Sequence, residues 1–220
     1  MRLAWPFLNE TLDWADGGIW TIAFENKTLL RQFLDLVRAQ SAGMDGDIVL
    51  SEQQQILDFS KTAELVTDPF SLPFSGKKLL SRLTQFAAEA AESYGEELLS
   101  LVTQVNVLAS KICMNMDYHV TWNEIDSFDD LLKLMAIHPD EETISLPERI
   151  LEYCQLARDL LGKKLIVCYG LHACLSEEEY ELFCKEATYK KLCLLILEAF
   201  QPQKTVGERM IVIDRDLCIL

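Results

Sequence analysis

Unbroken apolar runs near the two ends of the chain, and apolar stripes at helical spacing through its middle, divide the sequence into two patterns. Leu165-Ile166-Val167-Cys168-Tyr169 and Leu192-Cys193-Leu194-Leu195-Ile196-Leu197 do not alternate and are too short to cross a membrane, so each predicts a strand buried on both faces. Between them Ser176 and Glu179 have the spacing of a capping box, in which hydroxyl and carboxylate each satisfy a backbone N–H left over at a helix start. Strand, helix and strand make a βαβ unit, and sheets of this kind bind ligands beyond the strand C-termini. Here those ends carry Tyr169-Gly170-Leu171-His172 and Glu198-Ala199-Phe200.

The first third is also mixed. Asp16-Gly17-Gly18 predicts a turn, Ile19 to Phe24 a strand, and Asn26 a helix cap followed by the stripe Leu29, Leu30, Phe33, Leu34 and Val37. Residues 47–50 and 64–67 are further short strand candidates. Two prolines in Asp68-Pro69-Phe70-Ser71-Leu72-Pro73 then mark a boundary. Beyond it come helical stripes only: Leu79, Leu80, Leu83 and Phe86, then Leu98, Leu99, Val102, Val105 and Leu108, then Phe128, Leu131, Leu132 and Met135 behind a Ser127 cap. Pro147 opens another helix, with Ile150, Leu151, Cys154 and Ala157 inward, that feeds the βαβ unit. The expected architecture is α/β with a parallel sheet, discontinuous in sequence (residues 1–68 and 141–220), interrupted by an all-helical insertion at 69–140.

A chain of 220 residues, 50% hydrophobic, buries a full core. The net charge of −15 disfavours nucleic-acid binding by the whole surface while leaving room for a local basic patch. A mean hydropathy of +0.08 points to apolar surface lying against another subunit. The seven cysteines never fall in C-x-x-C, which predicts reduced thiols in a cytoplasmic protein rather than a zinc site. Residues 1–6 lack the apolar core of a signal peptide, and no run approaches the roughly 20 residues a membrane span needs.

Catalytic chemistry is hard to find. Lys27-Thr28 sits where a P-loop lysine and hydroxyl would sit, and the apolar strand closing on Glu198 resembles the second nucleotide motif of P-loop proteins. Yet G-x-x-x-x-G-K-[ST] occurs nowhere, and without glycines the backbone cannot fold its N–H groups around a phosphate. His119, His138 and His172 share no ligand spacing, and no nucleophile elbow is present. Asn115, Asp117, Asn123, Glu124, Asp126, Asp129 and Asp130 offer oxygens of the kind a hard cation takes, and equally form a solvated acidic face with helix caps. Basic residues cluster at Lys77, Lys78 and Arg82, at Arg149, Arg158, Lys163 and Lys164, and at Lys185, Lys190 and Lys191. No aromatic interleaving accompanies them, so base reading is not expected; a groove that tracks the phosphate backbone needs only such charges brought together by oligomerisation.

Several stretches in register resemble one family. They are Gly17-Gly18-Ile19-Trp20-Thr21-Ile22 with its following helix, Glu64-Leu65-Val66-Thr67-Asp68, Leu160-Leu161-Gly162-Lys163-Lys164-Leu165-Ile166-Val167, Leu175-Ser176-Glu177-Glu178-Glu179, and Leu194-Leu195-Ile196-Leu197-Glu198 with Ile211-Val212-Ile213-Asp214-Arg215-Asp216. Together they are similar to the Csn-two family of type II-A CRISPR-associated proteins, accessory proteins of spacer acquisition in antiviral defence. The resemblance implies a P-loop-like head without ATPase activity, an inserted helical leg, and a ring-shaped homotetramer. It implies sequence-independent binding of double-stranded DNA ends by lysines lining the ring, bound Ca²⁺, and partnership with the adaptation integrase and the RNA-guided nuclease of the same locus. Carried onto this chain, the expected DNA contacts are Lys61, Lys77, Lys78, Arg82, Arg149, Lys163 and Lys164, and the expected Ca²⁺ ligands are Asp117, Glu124 and Asp126. The chain departs from the family where Asn115, Met116 and His119 interrupt the acidic run and where Gln53, Gln54 and Gln55 replace lysines. The expected function is therefore a non-enzymatic DNA-end-binding ring, without bound nucleotide or membrane contact. The rival readings are a divergent nucleotide hydrolase using Lys27, Thr28 and Glu198, and an acidic protein scaffold that never touches DNA.

Overall fold

The computed structural model describes residues 1–140 and 143–220; Glu141, Glu142 and the side chains of Phe128 and Asp129 lie outside the described residues. In chain order the elements are β1 (Arg2–Ala4), β2 (Leu12–Asp13), β3 (Gly18–Phe24), α1 (Lys27–Ser41), β4 (Val49–Glu52), β5 (Gln55–Leu57), α2 (Phe59–Thr62) and β6 (Ala63–Val66). Then come α3 (Lys77–Ala91), a 3₁₀ turn (Glu92–Tyr94), α4 (Gly95–Met114), α5 (Phe128–Met135) and α6 (Leu146–Leu161). The chain closes with β7 (Leu165–Tyr169), α7 (Leu171–Cys174), α8 (Glu177–Tyr189), β8 (Cys193–Glu198) and β9 (Glu208–Ile213). These pack into two compact units, Met1–Pro73 with Asp140–Leu220, and Phe74–Pro139.

The first unit is mixed α/β around a five-stranded, all-parallel sheet in the order β6-β7-β8-β3-β9. Strand β3, paired with β8 on one side and β9 on the other, is buried on both faces except for Trp20, which explains its apolar, non-alternating sequence. A second, antiparallel sheet runs β2-β1-β4-β5. Trp14 ties the two together: it is 1% exposed, and its indole Nε1 donates to Leu194 O at 3.1 Å. Phe33 of α1 anchors the core against Trp5, at 4.4 Å between ring centroids, and Phe24, at 5.7 Å. Gly17 takes a left-handed φ of +80°, and a Cβ there would meet the Lys191 backbone at 2.8 Å, so this close approach admits only glycine.

The sequence pattern predicts β3, β6, β7 and β8 and, with residues 47–50, catches the start of β4, but passes over β1, β2, β5 and the hairpin turn. The hairpin turns on Gln53 and Gln54, both at positive φ (48° and 67°), where Asn-Gly is the residue pair that announces such a turn.

The second unit is helical. α5 packs on α3 and α4, and the irregular stretch after α4 is held back by Asn106, whose carboxamide donates to Ile125 O at 2.9 Å and accepts from Ile125 N at 3.0 Å. Its buried hydrophobic residues are Phe74, Leu79, Val102 and Leu132. The boundaries fall at Pro73/Phe74 and Pro139/Asp140 rather than after residues 68 and 140. The Pro-rich stretch stays with the α/β unit because Leu72 is buried and Asp68 Oδ1 accepts the Phe70 N–H at 2.9 Å.

Candidate nucleic-acid interface

The expected cations of the α/β unit have unequal freedom. Lys163 follows the left-handed Gly162 that ends α6. Its ammonium donates to Ser60 O at 2.7 Å and Ala63 O at 2.8 Å, the carbonyls at the end of α2, and pairs with Glu64 at 3.3 Å. Its side chain is 12% exposed, so Lys163 is a brace for the start of β6 and has no donor left to meet a phosphate. Arg149 is a second brace: Nη2 donates to Phe70 O at 3.1 Å, and Nε is buried. Lys164 is half-exposed and bonded to Glu52 at 2.5 Å, which holds that carboxyl below its ordinary value. Lys61 is exposed and pairs with Asp58 at 3.3 Å, the kind of surface pair worth about 0–1 kcal/mol and readily exchanged for another anion.

The cations of the helical unit are freer. Lys77 and Lys78 form the first turn of α3, are exposed, and have no ion pair among the described residues. Arg82 lies one turn on and donates to Gln85 at 3.0 Å. Local electrostatics single this turn out. α1 is capped by Asn26, α6 and α8 carry capping boxes with glutamates in the first turn, and α4 begins with Glu96 and Glu97. α3 instead starts from Gly76 with no side-chain cap and no acidic residue, and places two ammonium groups where the helix dipole already supplies positive potential. That placement costs stability unless an anion answers it.

Sequence reasoning missed Arg31 and Arg38 and considered Lys27 only as a P-loop lysine. Lys27, Arg31 and Arg38 are exposed along α1 at i, i+4 and i+11, with no ion pair among the described residues. Their signal was the charge spacing along a helix whose opposite side holds the Leu29, Phe33 and Val37 stripe.

The expected cation ligands do not converge. Asp117, Glu124 and Asp126 are all exposed, and among the described residues no three His, Cys, Asp or Glu side chains form a metal-holding group. Asp130 belongs instead to α5, bonded to Lys133 and Ser127 at 3.1 Å each, which holds its carboxyl below the usual range. Among the described residues, therefore, no group of ligands is preformed for Ca²⁺.

Where a P-loop would cradle phosphate, the helix start is already occupied. Asn26 Oδ1 accepts from Thr28 N at 3.1 Å and Leu29 N at 3.0 Å, so the first donors of α1 face a carboxamide of the chain itself. Glu198, at the end of β8, is 1% exposed and accepts from His172 N at 2.8 Å; burial pushes its carboxyl up. A separate buried carboxylate, Glu208, gathers a network invisible in the sequence. Its Oε1 accepts from Thr21 and from Tyr180 at 2.8 Å and lies 3.3 Å from His172 Nε2, while Oε2 accepts from Thr205 N at 3.1 Å. Burial alone would raise this carboxyl, but the donors outweigh it and hold it below its ordinary value.

A mixed α/β protein with a parallel sheet, an unconverged acidic segment and free cations at one helix start is the class these features define. Residues 40–217 match the family described as CRISPR-associated protein (Cas_Csn2), and the chain belongs to that family. A search of curated proteins finds no match. Among solved structures, the chain is similar to a putative ABC transporter ATP-binding protein from Pyrococcus furiosus, at 10% identity and a TM-score of 0.40, over 92% of this chain and 88% of that one.

Proposed function

We propose that this CRISPR-associated protein is a non-enzymatic, sequence-independent double-stranded DNA-binding protein of spacer acquisition, working in the cytoplasm as a homotetrameric ring beside the integrase and RNA-guided nuclease of its locus. In this reading the parallel-sheet unit is a P-loop-like head and the helical unit an inserted leg. The observation that carries the DNA assignment is the first turn of α3, uncapped and cationic in a chain of net charge −15. Phosphate oxygens satisfy such a turn, because they accept from free N–H groups and ammonium groups together. Lys61, Lys164, Lys27, Arg31 and Arg38 are further contacts of the same kind, and Lys163 and Arg149 are braces. Three features support the absence of nucleotide chemistry: the missing glycines, the Asn26 plug at α1, and the enclosure of Glu198.

Self-association is supported by the surface of α4. Leu101, Leu108 and Ile112 form a second apolar stripe, 46–58% exposed, on a helix whose other face already holds Val102 inward. A helix apolar on both sides is stable in water only when both sides are covered. The same stretch, Lys77–Met114, contains an 18-residue window apolar enough by composition to cross a membrane, which counting unbroken runs did not reveal. A second subunit covers it in this reading.

The test is native mass spectrometry with a linear duplex, followed by binding isotherms at rising salt. The expected result is a tetramer whose log affinity falls linearly with log salt and does not change with duplex sequence. A monomer that ignores linear duplex at low salt overturns the proposal.

A further inference from the structure

The α/β unit holds a cavity of about 360 Å³ at the C-terminal ends of three adjacent parallel strands. Thr67 follows β6, Tyr169 ends β7 and Glu198 ends β8, the place where open α/β sheets take ligands. Its walls are aromatic and unusually open: Phe70 is 62% and Phe200 45% exposed. Its carboxylates are under-used. Glu198 offers Oε1 to His172 N and has no further side-chain hydrogen bond among the described residues, while the residue is 1% exposed. Asp68, on the rim, accepts from Phe70 N through Oδ1 and leaves Oδ2 free. No lysine or arginine of the chain pairs with either acid among the described residues.

These features narrow the occupant. An anion is repelled. A metal ion finds too few donors, since no three-ligand group exists among the described residues. A neutral apolar group would seal Glu198 Oε2 away from water with no donor, which costs the desolvation of that oxygen. A flat cation with N–H donors satisfies both carboxylates and lies against the rings, and guanidinium does this better than ammonium because it is weakly hydrated and stacks on aromatic faces.

We propose that this cavity is a receptor for an arginine side chain presented by a basic protein partner. Charge complementarity favours that source: a chain of net charge −15 attracts a basic protein before contact, and the cup then selects arginine. The site is separate from the cations assigned to DNA, and its occupancy does not depend on DNA binding.

Cys174 lines the cavity and is partly exposed, so its alkylation rate reports occupancy, with exposed Cys218, which does not line it, as the internal control. The full chain is treated with iodoacetamide and each cysteine followed by peptide mass spectrometry, with acetyl-Gly-Arg-Gly-amide or its citrulline counterpart present at roughly 10 mM. A ligand slows its site by the factor 1 + [L]/Kd, so the arginine peptide is expected to slow Cys174 at least about threefold, with citrulline near onefold. Glu198→Gln, which keeps the acceptor for His172 N, and Phe70→Ala, at an exposed position, are each expected to abolish the difference with folding intact by circular dichroism. Equal protection by the two peptides, no protection by either, or protection surviving in both variants overturns the proposal. Dissociation of the oligomer by Glu198→Gln would assign the pocket to an arginine of a second copy and overturn the partner assignment. Each of these outcomes leaves duplex binding unaffected, so failure here is distinguishable from failure of the DNA reading.

Discussion

The two units solve the burial problem in opposite ways. In the α/β unit the strands β3, β7 and β8 are buried on both faces at all but one position each, and the buried polar side chains Glu208, Thr21 and Gln40 have partners. In the helical unit four hydrophobic residues are buried among the described residues, while Phe86, Leu99, Leu134 and Met135 are 59–76% exposed. The first unit buries most of its large apolar side chains within itself; the second leaves many of its own exposed. The largest expected contrast follows at two phenylalanines. Phe33→Ala opens a void between Trp5 and Phe24 and is expected to cost about 3–5 kcal/mol, whereas Phe86→Ala, on the exposed side of α3, is expected to cost under about 0.5 kcal/mol in the isolated chain. Denaturant titration measures both, and equal losses would erase the distinction.

The second test asks what completes the helical unit. Leu108→Glu with Ile112→Glu charges the outer stripe of α4 without touching Val102. Each buried leucine or isoleucine contributes about 1.5–3 kcal/mol, so the pair is expected to weaken self-association by at least about 100-fold while leaving the helical content unchanged. Sedimentation at micromolar concentration reads this as a fall toward the 25.1 kDa chain mass. An unchanged assembly would move the interface elsewhere.

Next in size comes a split between bracing and binding cations. Lys163→Met removes donors from two carbonyls and leaves Glu64 with Tyr153 and no cation, so a stability loss of about 1–3 kcal/mol is expected, with an unchanged salt slope for duplex binding. Lys77→Met with Lys78→Met is expected to do the reverse: no loss of stability, and a salt slope shallower by about 2, close to 0.9 for each phosphate no longer neutralised. Thermal melts and binding isotherms on the same samples check both halves.

The unequal legibility of the two units has the same physical root. Strands buried on both faces must be apolar at every position, so β7 and β8 stand out in the sequence, as do helix caps at Asn26 and Ser176, whose geometry is local. The β4–β5 hairpin stayed hidden because glutamines occupy the turn positions where glycine or asparagine normally shows. The sites were less legible still, because partnership is decided at long range. Lys163 and Lys164 are adjacent and look alike, yet one is enclosed by Ser60, Ala63 and Glu64 while the other reaches Glu52 at the surface. Nothing in a run of residues states that Glu208 meets Thr21, 187 positions away. Lys77 and Lys78 were visible in the sequence as charges on a helix, whereas the absence of a side-chain cap at Gly76 shows only in the structure.

The smallest expected effects sit inside the well-sealed unit and sharpen what sealing means. Glu198 and Glu208 are both buried, but burial dominates the first and raises its carboxyl, while donors dominate the second and lower it. For Glu208 the folded state holds its proton less tightly than the unfolded chain, so its contribution is complete above about 4.5 and is lost as pH falls through the depressed value. Glu208→Gln is therefore expected to destabilise at pH 7 and much less at pH 3. For Glu198 the folded state holds its proton more tightly, so its contribution is complete below about 4.5 and is lost as pH rises through the elevated value. Above that elevated value the wild-type chain carries a buried charge that glutamine lacks, and Glu198→Gln is expected to raise Tm by roughly 2 °C there and to leave it unchanged below about 4.5. Melting curves of the two variants should thus diverge with pH in opposite directions. Parallel curves would mean that the donors around Glu208 do not overcome its burial, and that a sealed carboxylate in this unit behaves the same whether it is partnered or not.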